Sequence, residues 1–329
     1  MAKKNIKRIA VLTSGGDAPG MNAAVRAVVR TSVFNSIECF AVYKGFQGLI
    51  NNEIKLINAR GVNNIINRGG TVLKSARCME FKSKNGRLKA FNNLKAKKID
   101  ALIIIGGDGS FTGGMIFESE FNFPVIGIPG TIDNDIFGTS HAIGYDTALN
   151  TVVDAIDKIR DTAISHNRLF FVEVMGRDAG HIALNTGIGA GAEEILIPEE
   201  NMGIQRLLQS LKNSEKSGKS SSIVVVAEGD KTGENVFELA SYVEKNMPHY
   251  EVKVSVLGHM QRGGKPSCFD RVLASRMGVF AVETLLLGKS NLMVGIDHDK
   301  LILSPLKTAV KSKSEINKDL IRISDILST

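Results

Sequence analysis

The sequence of 329 residues contains no tryptophan, three cysteines and seven prolines, and only 6% of its residues are aromatic. So few aromatic side chains argue against the base-stacking platforms of proteins that bind single-stranded nucleic acid. The cysteines Cys39, Cys78 and Cys268 are odd in number and lack CxxC spacing, which argues against a disulfide framework or a zinc site. Scattered thiols of this kind favour a reducing compartment, so we expect a cytoplasmic protein.

Long hydrophobic runs are lacking as well. The N-terminal segment MAKKNIKRIAVLTSGGD has an apolar run too short for a signal peptide, and no segment approaches membrane-spanning length. With 43% hydrophobic and 23% charged residues, the chain has the composition of a globular protein, and its length suits roughly two domains. The net charge of +7 suits phosphorylated substrates or nucleic acid, and composition does not separate these two partners.

Short apolar runs alternate with longer amphipathic segments along the chain. The runs predicted as strands are 8–14, 38–43, 100–107, 124–130, 169–176, 193–199, 222–229 and 252–258. Runs that are apolar on both faces are typical of parallel strands with helices on both sides of the sheet. Residues 146–164 carry apolar side chains at helical spacing. The alternation predicts an α/β fold with two doubly wound layers, and we interpret residues 214–222 as a surface loop.

A glycine-rich turn follows the first predicted strand. The segment TSGGDAPGMNAAVR sets Gly15, Gly16 and Gly20 between strand and helix, where backbone N–H groups and a helix N-terminus can hold phosphate. A tight turn explains the same glycines equally well. The spacing is not that of a dinucleotide-binding fingerprint, since Lys44 follows the second strand where that site needs an acidic residue. Two GKS tripeptides also lack the first glycine of a Walker A motif.

Two further turns carry carboxylates. IIIGGDGSFTGG places Asp108 directly after an apolar strand, and IGIPGTIDNDIFG places Asp133 and Asp135 after the next one. Asp and Gly are common in ordinary turns, so each motif alone has a structural explanation. However, Mg²⁺ in proteins is held by one or two carboxylates together with substrate phosphates. Because ligands of open parallel sheets bind beyond the carboxyl ends of the strands, the convergence of these turns favours a phosphate site with a metal.

The motifs together resemble those of the bacterial 6-phosphofructokinase family. TSGGDAPGMNAA, NRGGT, GGDGS, PGTIDND, VEVMGR and LGHMQRGG recur in that family in this order and span nearly the whole chain. GGDG alone is less specific, because NAD kinases and diacylglycerol kinases resemble it there. The resemblance implies two Rossmann-like domains with mainly parallel sheets, an active site in the cleft between them, and a homotetramer. It also implies an ATP-binding domain of 1–143 and about 260–308, and a sugar-phosphate domain of 144–259 and about 309–329.

The resemblance implies phosphoryl transfer from ATP to the 1-hydroxyl of fructose 6-phosphate, the committed step of glycolysis. Asp133 would be the general base, Arg177 would neutralise charge on the transferred group, and Thr131 would donate a hydrogen bond to it. Asp108 and Asp135 would bind Mg²⁺. Gly15 is expected both to take part in catalysis and to hold ATP. The other residues expected to hold ATP are Arg77, Cys78, Gly107, Asp108, Gly109 and Ser110.

Sugar-phosphate recognition is likewise implied by the resemblance. The residues expected around the substrate, besides Thr131, Asp133 and Arg177, are Ile132, Met175, Gly176, Glu228, Met260 and Gln261. The 6-phosphate is expected to meet His259 and Arg262 of the same subunit and Arg168 and Lys253 of a neighbour. Lys253 stands where the family usually has Arg, so a point charge replaces a bidentate fork.

Two glycines bear on the phosphoryl donor. Pyrophosphate-using relatives usually carry Asp and Lys at the positions of Gly109 and Gly130, so the resemblance implies ATP as the donor.

A regulatory pocket for a nucleoside diphosphate (ADP or GDP) or phosphoenolpyruvate is matched only in part. The matching residues are Arg26, Arg30, Arg160, Glu193 and Lys219. Ala59 stands where the family has Arg, and Asn64 stands where it has Asp. Ser217, Ser220 and Ser221 replace a Lys, Lys, His set, and Arg60 and Lys216 are nearby cations that could substitute for the lost charges. The lost charged groups predict an impaired or altered effector response.

Two other classes of protein compete with a kinase. A nucleotide-sensing subunit without catalysis could have the same fold, because fold alone does not fix function. Such a subunit need not keep the base, the metal ligand and the phosphate clamp. This sequence keeps all three, as Asp133, Asp108 and Arg177. A Rossmann oxidoreductase is disfavoured by the first glycine turn and by Lys44.

Overall fold

The computed structural model describes residues 6–163, 168–200, 203–216 and 222–327. Its strands are β1 (Arg8–Thr13), β2 (Glu38–Val42), β3 (Ile54–Ile57), β4 (Ala101–Gly106), β5 (Val125–Pro129), β6 (Arg168–Val174), β7 (Glu194–Leu196), β8 (Ser222–Ala227), β9 (Glu251–Val256), β10 (Leu292–Asp297) and β11 (Lys300–Pro305). Its α-helices are α1 (Met21–Phe34), α2 (Gly45–Ile50), α3 (Lys84–Ala96), α4 (Asp108–Phe121), α5 (Tyr145–Ala163), α6 (His181–Gly189), α7 (Ile204–Lys216), α8 (Val236–Asn246), α9 (Cys268–Leu286), α10 (Leu306–Lys311) and α11 (Lys318–Leu327).

The chain divides into two units, each with its own sheet. Unit 1 comprises Met1–Thr147 and Arg262–Ser314, and unit 2 comprises Ala148–Gln261 and Glu315–Thr329. Both sheets are mainly parallel, so the predicted α/β class is confirmed. In the part of the chain that the structure describes, no helix has both the length and the apolar composition to cross a membrane.

The sheet of unit 1 has the order β11-β10-β5-β4-β1-β2-β3. Its five inner strands run parallel, and β3 and β11 pair antiparallel at the two edges. All six residues of β4 are buried. Leu102 and Ile104 pack on one face with Phe111 and Phe117 of α4, and α1 lies against β1, β2 and β4 and packs on α9. Strand order reverses between β1 and β4, which is where open parallel sheets bind ligands.

The sheet of unit 2 has the order β7-β8-β6-β9, and its strands all run parallel. Its core includes Leu169, Phe171, Val224 and Val226 from the two central strands. The expectation that every predicted strand is apolar and buried on both faces is wrong for β9. That strand lies at an edge beside β6, and its six residues are all exposed or partly exposed.

The sequence predicted neither β3, β10 nor β11. Two of them are the antiparallel edges of unit 1, where one neighbouring strand is missing and the apolar pattern is weaker. In contrast, the helix predicted over 146–164 is observed as α5. The central part of the segment predicted as a surface loop, 217–221, lies outside the described residues, while its first three residues end α7.

Candidate active site

The first glycine-rich turn follows β1 at the point where strand order reverses. Gly15 has a φ of +84°, a left-handed conformation that glycine adopts without steric cost. The position that a Cβ on Gly15 would occupy lies 3.5 Å from Oγ of Ser110. Ser14 N–H donates to the Ile105 carbonyl at 2.9 Å. The turn after β1 therefore lies directly against the turn after β4.

The second turn leads into α4, whose first residue is Asp108. Gly107 is the N-cap, and Ser110 is buried in the first turn of the helix. A helix N-terminus favours anions through its free N–H groups, whereas the carboxylate of Asp108 favours a cation. Gly109 has no atom within 4 Å of the position that its Cβ would occupy. This turn therefore combines features suited to a phosphate and to its metal ion with open space beside them.

The third turn, after β5, contains the buried carboxylate. Asp133 is only 3% exposed, and its backbone N–H donates to Thr131 Oγ1 at 3.2 Å. Arg262 Nη2 lies 3.9 Å from Asp133 Oδ1. Thr131 Cβ lies 3.8 Å from the position of a Cβ on Gly107. The buried carboxylate and the phosphate-binding turn are thus neighbours within unit 1.

Asn134, between the two aspartates, sets the shape of this turn. It has a φ of +53°, which Asn tolerates better than most residues. Its side chain donates to the Ser140 carbonyl at 3.1 Å and accepts from Ala142 N–H at 2.8 Å. Asp133 is consequently buried while Asp135 is partly exposed. Asn134 was not predicted from the sequence, where its position between the two aspartates was the one signal that pointed to it.

Asn22 of α1 holds the NRGGT segment in place. Its side-chain amide donates to the carbonyls of Arg68 and Gly70 at 2.9 and 3.1 Å, and its oxygen accepts from Val72 N–H at 2.8 Å. Asn22 is fully buried and was also missed by sequence reasoning. Further along the segment, Arg77 is exposed and Cys78 packs partly buried at the margin of the core.

Arg262 contacts the first glycine turn. Its guanidinium lies 2.3 Å from where a Cβ on Gly16 would be, so any side chain there would displace it. It also donates to the Asp17 carbonyl at 3.4 Å. The family resemblance implied that Arg262 binds the 6-phosphate of the sugar. The structure additionally places this nearly buried arginine beside Asp133.

In unit 2, the turn after β6 is organised by Glu228. Oε1 of Glu228 accepts from the N–H groups of Gly176 and Arg177 at 3.2 and 2.7 Å. Arg177 has a φ of +54°, so its exposed side chain is presented from a strained backbone that this carboxylate stabilises. Burial, and secondarily the charge of Glu228, raises the pKa of Glu173 on the same strand.

The segment after β9 lies near the same turn. Gln261 is fully buried, accepts from Met175 N–H at 3.2 Å and donates to the Gly258 carbonyl at 3.0 Å. His259 and Met260 are both exposed. Val174, Ala227 and Val256 end parallel strands, so the expected sugar-binding residues that follow them share one edge of the sheet.

Arg168 lies at the opposite edge of that sheet, and Lys253, the third residue of β9, lies two positions further along the strands. Arg168 begins β6, and its Nε donates to Glu251 Oε2 at 2.8 Å, while Lys253 Nζ lies 2.7 Å from Glu251 Oε1. Hydrogen bonds from Lys253 and then Arg168 lower the pKa of Glu251 to about 2. The seven residues of β6 separate this cluster from Met175 by roughly 20 Å. Within one chain these two cations therefore do not reach the carboxyl edge.

The expected effector residues fall into separate groups. In unit 1, a cavity of about 460 Å³ is lined by Arg26, Arg30, Asn63, Asn64, Ile66, Asn67 and Arg271. Arg30 donates to Asn63 Oδ1 at 3.1 Å, and Arg271 is a cation that the sequence analysis missed.

In unit 2, Arg160 donates to the carbonyls of Ala190 and Gly191, both at 2.7 Å. Its Nη1 also lies 3.9 Å from Glu193 Oε1. The other oxygen of Glu193 accepts from Ile223 N–H at 2.6 Å, so this buried carboxylate already serves the fold. Lys219 and the serines 217, 220 and 221 lie outside the described residues.

No group of three or more His, Cys, Asp or Glu suited to a metal occurs among the described residues. Mg²⁺ in proteins is often held by one or two carboxylates together with substrate phosphates. Asp108, at an anion-binding helix start, is the donor that fits best. Partly exposed Asp135 provides a second carboxylate on the neighbouring turn.

Comparison with known proteins gives a consistent result. A family profile described as phosphofructokinase matches residues 8–285. The chain is 51% identical over 323 residues to ATP-dependent 6-phosphofructokinase 2 of Bacteroides thetaiotaomicron, covering 98% of this chain and 99% of that protein. It is 50% identical to ATP-dependent 6-phosphofructokinase 1 of Thermus thermophilus, covering 98% and 100%. The structure of phosphofructokinase from Saccharomyces cerevisiae matches 93% of this chain with a TM-score of 0.86 and 38% identity, and this chain spans 45% of the yeast chain.

Proposed function

The chain belongs to the phosphofructokinase family, and from that premise we propose that it transfers the γ-phosphoryl group of ATP to the 1-hydroxyl of fructose 6-phosphate. The products are fructose 1,6-bisphosphate and ADP. The observation that carries the proposal is the arrangement of three turns in unit 1. A phosphate-binding glycine turn, the start of α4 with Asp108, and the buried carboxylate of Asp133 lie side by side at one sheet edge.

Asp133 accepts the proton of the attacking hydroxyl in this proposal. Its carboxylate is buried, and Arg262 Nη2 lies 3.9 Å from Asp133 Oδ1. Thr131 and Asn134 hold the turn, so the carboxylate stays in one position throughout the reaction. Deprotonation of the sugar hydroxyl and attack on the γ-phosphorus then occur while the ADP oxygen leaves.

Unit 1 holds ATP in this proposal, with Gly15, Gly107, Gly109 and Ser110 at the phosphates and Arg77 and Cys78 as nucleotide neighbours. Mg²⁺, when bound to Asp108 and Asp135, would neutralise phosphate charge as the transition state develops. Unit 2 holds the sugar phosphate through Met175, Gly176, Glu228 and the segment from 259 to 261. Arg177 provides positive charge for the transferred group.

We also propose the homotetramer that the family resemblance implies, and the placement of Arg168 and Lys253 supports a site shared between copies of the chain. They lie at the amino edge of the unit 2 sheet, and Met175 and Glu228 follow strand ends at its carboxyl edge. If all four groups bind one sugar phosphate, Arg168 and Lys253 come from a second copy of the chain. Their pairing with Glu251 shows that both cations can face one anionic group.

ATP is the proposed donor because Gly109 and Gly130 leave the nucleotide turn without added side chains. The cytoplasm, where glycolytic substrates are found, is the proposed location. For regulation we propose a weak or altered response to ADP, GDP and phosphoenolpyruvate, because Ala59 and Asn64 stand where the family has charged residues, while Arg271 adds a cation to the Arg26 and Arg30 cavity.

A coupled assay tests the function directly. Purified protein is supplied with fructose 6-phosphate and Mg²⁺, and either ATP or pyrophosphate, and bisphosphate formation is followed. We expect turnover with ATP and little with pyrophosphate. A protein that binds nucleotide but forms no fructose 1,6-bisphosphate with either donor would be a nucleotide-sensing subunit, the alternative that the fold permits.

A further inference from the structure

A second cavity in unit 1 has a strongly basic lining. It measures about 510 Å³ and lies between β2, β3 and the segment that follows NRGGT. The lining residues are Tyr43, Lys44, Asn52, Glu53, Lys55, Val72 and Lys74. Three ammonium groups face one carboxylate, so the lining has a net charge of +2. None of these residues belongs to the ATP, sugar or effector sets assigned above.

The single carboxylate does not neutralise the cavity. Glu53 lies 3.0 Å from Lys44 Nζ, and that hydrogen bond lowers the pKa of Glu53. Lys55 Nζ lies 5.8 Å from the centre of the Tyr43 ring, in a cation–π contact. Among the described residues, Lys74 forms no ion pair with a carboxylate.

Two of the three lysines have a backbone conformation that disfavours lysine. Lys44 and Lys74 both have a φ of +61°, where glycine is free of steric cost and a Cβ is not. Both backbones are fixed by tertiary hydrogen bonds, since Lys44 N–H donates to Leu73 O at 2.8 Å and Thr13 Oγ1 donates to the Lys74 carbonyl at 3.0 Å. Both lysines are therefore held at fixed backbone positions in the lining of this cavity.

We propose that this lysine cavity binds a compact phosphorylated anion at a site separate from the nucleotide and effector sites. Ammonium groups bind phosphate as point charges, Asn52 supplies an amide donor, and Tyr43 forms an apolar wall. The Thr13 contact joins the Lys74 turn to the strand that carries Gly15.

The absence of tryptophan from the chain gives a local probe. Tyr43→Trp introduces a single indole at the cavity, so its fluorescence reports this site and no other. Inorganic pyrophosphate is titrated into the full-length Tyr43→Trp protein, into the same protein with Lys44→Gly and Lys74→Gly, and into a control with Lys98→Gly. Lys98 is a matched control because it is exposed, has a φ of +54°, and does not line the cavity.

We expect a saturable fluorescence change when pyrophosphate is added. The affinity for pyrophosphate should be at least about tenfold weaker after Lys44→Gly and Lys74→Gly, and it should be unchanged after Lys98→Gly. Glycine suits both left-handed positions, so the double variant should fold with an unaltered melting temperature. Saturating MgATP should leave the response in place. Equal affinity in the double variant, loss of the response with MgATP, or tighter binding of citrate than of pyrophosphate would each overturn the proposal.

If Tyr43→Trp disturbs folding, ³¹P line broadening of pyrophosphate with MgATP present gives the same comparison in chains that keep Tyr43. Broadening that is reduced by Lys44→Gly and Lys74→Gly but not by Lys98→Gly supports the site. Equal broadening in all three proteins contradicts it.

Discussion

Unit 1 gathers its candidate catalytic residues at one edge of one sheet, whereas unit 2 divides its candidate residues between both edges. In unit 1, the turns that carry Gly15, Asp108 and Asp133 follow three adjacent parallel strands and touch one another. In unit 2, Glu228 organises the carboxyl edge while Glu251 pairs with two cations at the amino edge.

The difference follows from strand geometry. Side chains that follow neighbouring parallel strands meet because these strands end at the same edge of the sheet. Residues at the other edge are a strand length away and cannot reach them. A single copy of unit 1 can therefore bring together the groups proposed for ATP and for the base. A single copy of unit 2 cannot bring its amino-edge cations and its carboxyl-edge turn to one ligand. This difference predicts that a substitution of Asp133 inactivates the site of the chain that carries it. A substitution of Arg168 or Lys253 can instead be compensated by another copy of the chain.

The largest effect is expected from Asp133→Asn. The amide keeps the size of the side chain and removes the proton acceptor, so kcat should fall by about 10²-fold or more while the KM values change little. Steady-state kinetics at saturating Mg²⁺ measures both constants. Asp135→Asn serves as the comparison, since it should mainly raise the Mg²⁺ concentration needed for half-maximal rate. Near wild-type turnover in Asp133→Asn would remove this residue as the base.

Mixed oligomers test the two edges of unit 2. Arg168→Ala should lower activity at subsaturating fructose 6-phosphate by about tenfold or more, because a charged hydrogen bond to the phosphate is lost. Arg168→Ala chains keep Asp133, and Asp133→Asn chains keep Arg168. Hybrids of the two, formed by dissociation and reassociation, should therefore recover activity.

As the control, each variant is dissociated and reassociated by itself. Hybrid oligomers verified by native mass spectrometry that remain as inactive as the separate variants would contradict a shared site. A fully active monomer, identified by light scattering during assay, would contradict it independently.

A smaller effect is expected from Gly109→Asp in unit 1. A Cβ at Gly109 meets no atom within 4 Å, so the substitution should fold normally. Its carboxylate would repel the nucleotide phosphates, and kcat/KM for ATP should fall by about tenfold. Gly109→Ala adds the same Cβ without charge and should stay close to wild type. Equal losses in both variants would indicate that space, and not charge, decides donor choice.

The smallest effect concerns the effector cavity. ADP, GDP and phosphoenolpyruvate should shift the half-saturating fructose 6-phosphate concentration only slightly, because a ligand with little differential affinity cannot move an equilibrium between two states. Arg30→Ala should then change the saturation curve little further. Strong shifts at micromolar effector, abolished by Arg30→Ala, would mean that Arg271 or other cations restore a functional clamp.

Much of the fold could be predicted from the sequence, because buried parallel strands appear as continuous apolar runs. The strand β4 is the clearest case, with six buried residues in a row. The edge strands β3 and β11 escaped detection because one side of each lacks a neighbouring strand. Motif resemblance named the candidate residues, but it did not give the contacts that hold them, such as those of Asn22 and Asn134.

By itself, the sequence determined the α/β class, the family and the local chemistry of each glycine turn, because these depend on periodicity and on residue types close together in the chain. Tertiary structure alone decided which distant groups meet. Arg262 reaches Asp133 across 129 positions, Glu251 pairs with Arg168 across 83, and three lysines from separate segments line one cavity. These contacts depend on strand order and register, which place residues far apart in the chain side by side and leave no local pattern to read.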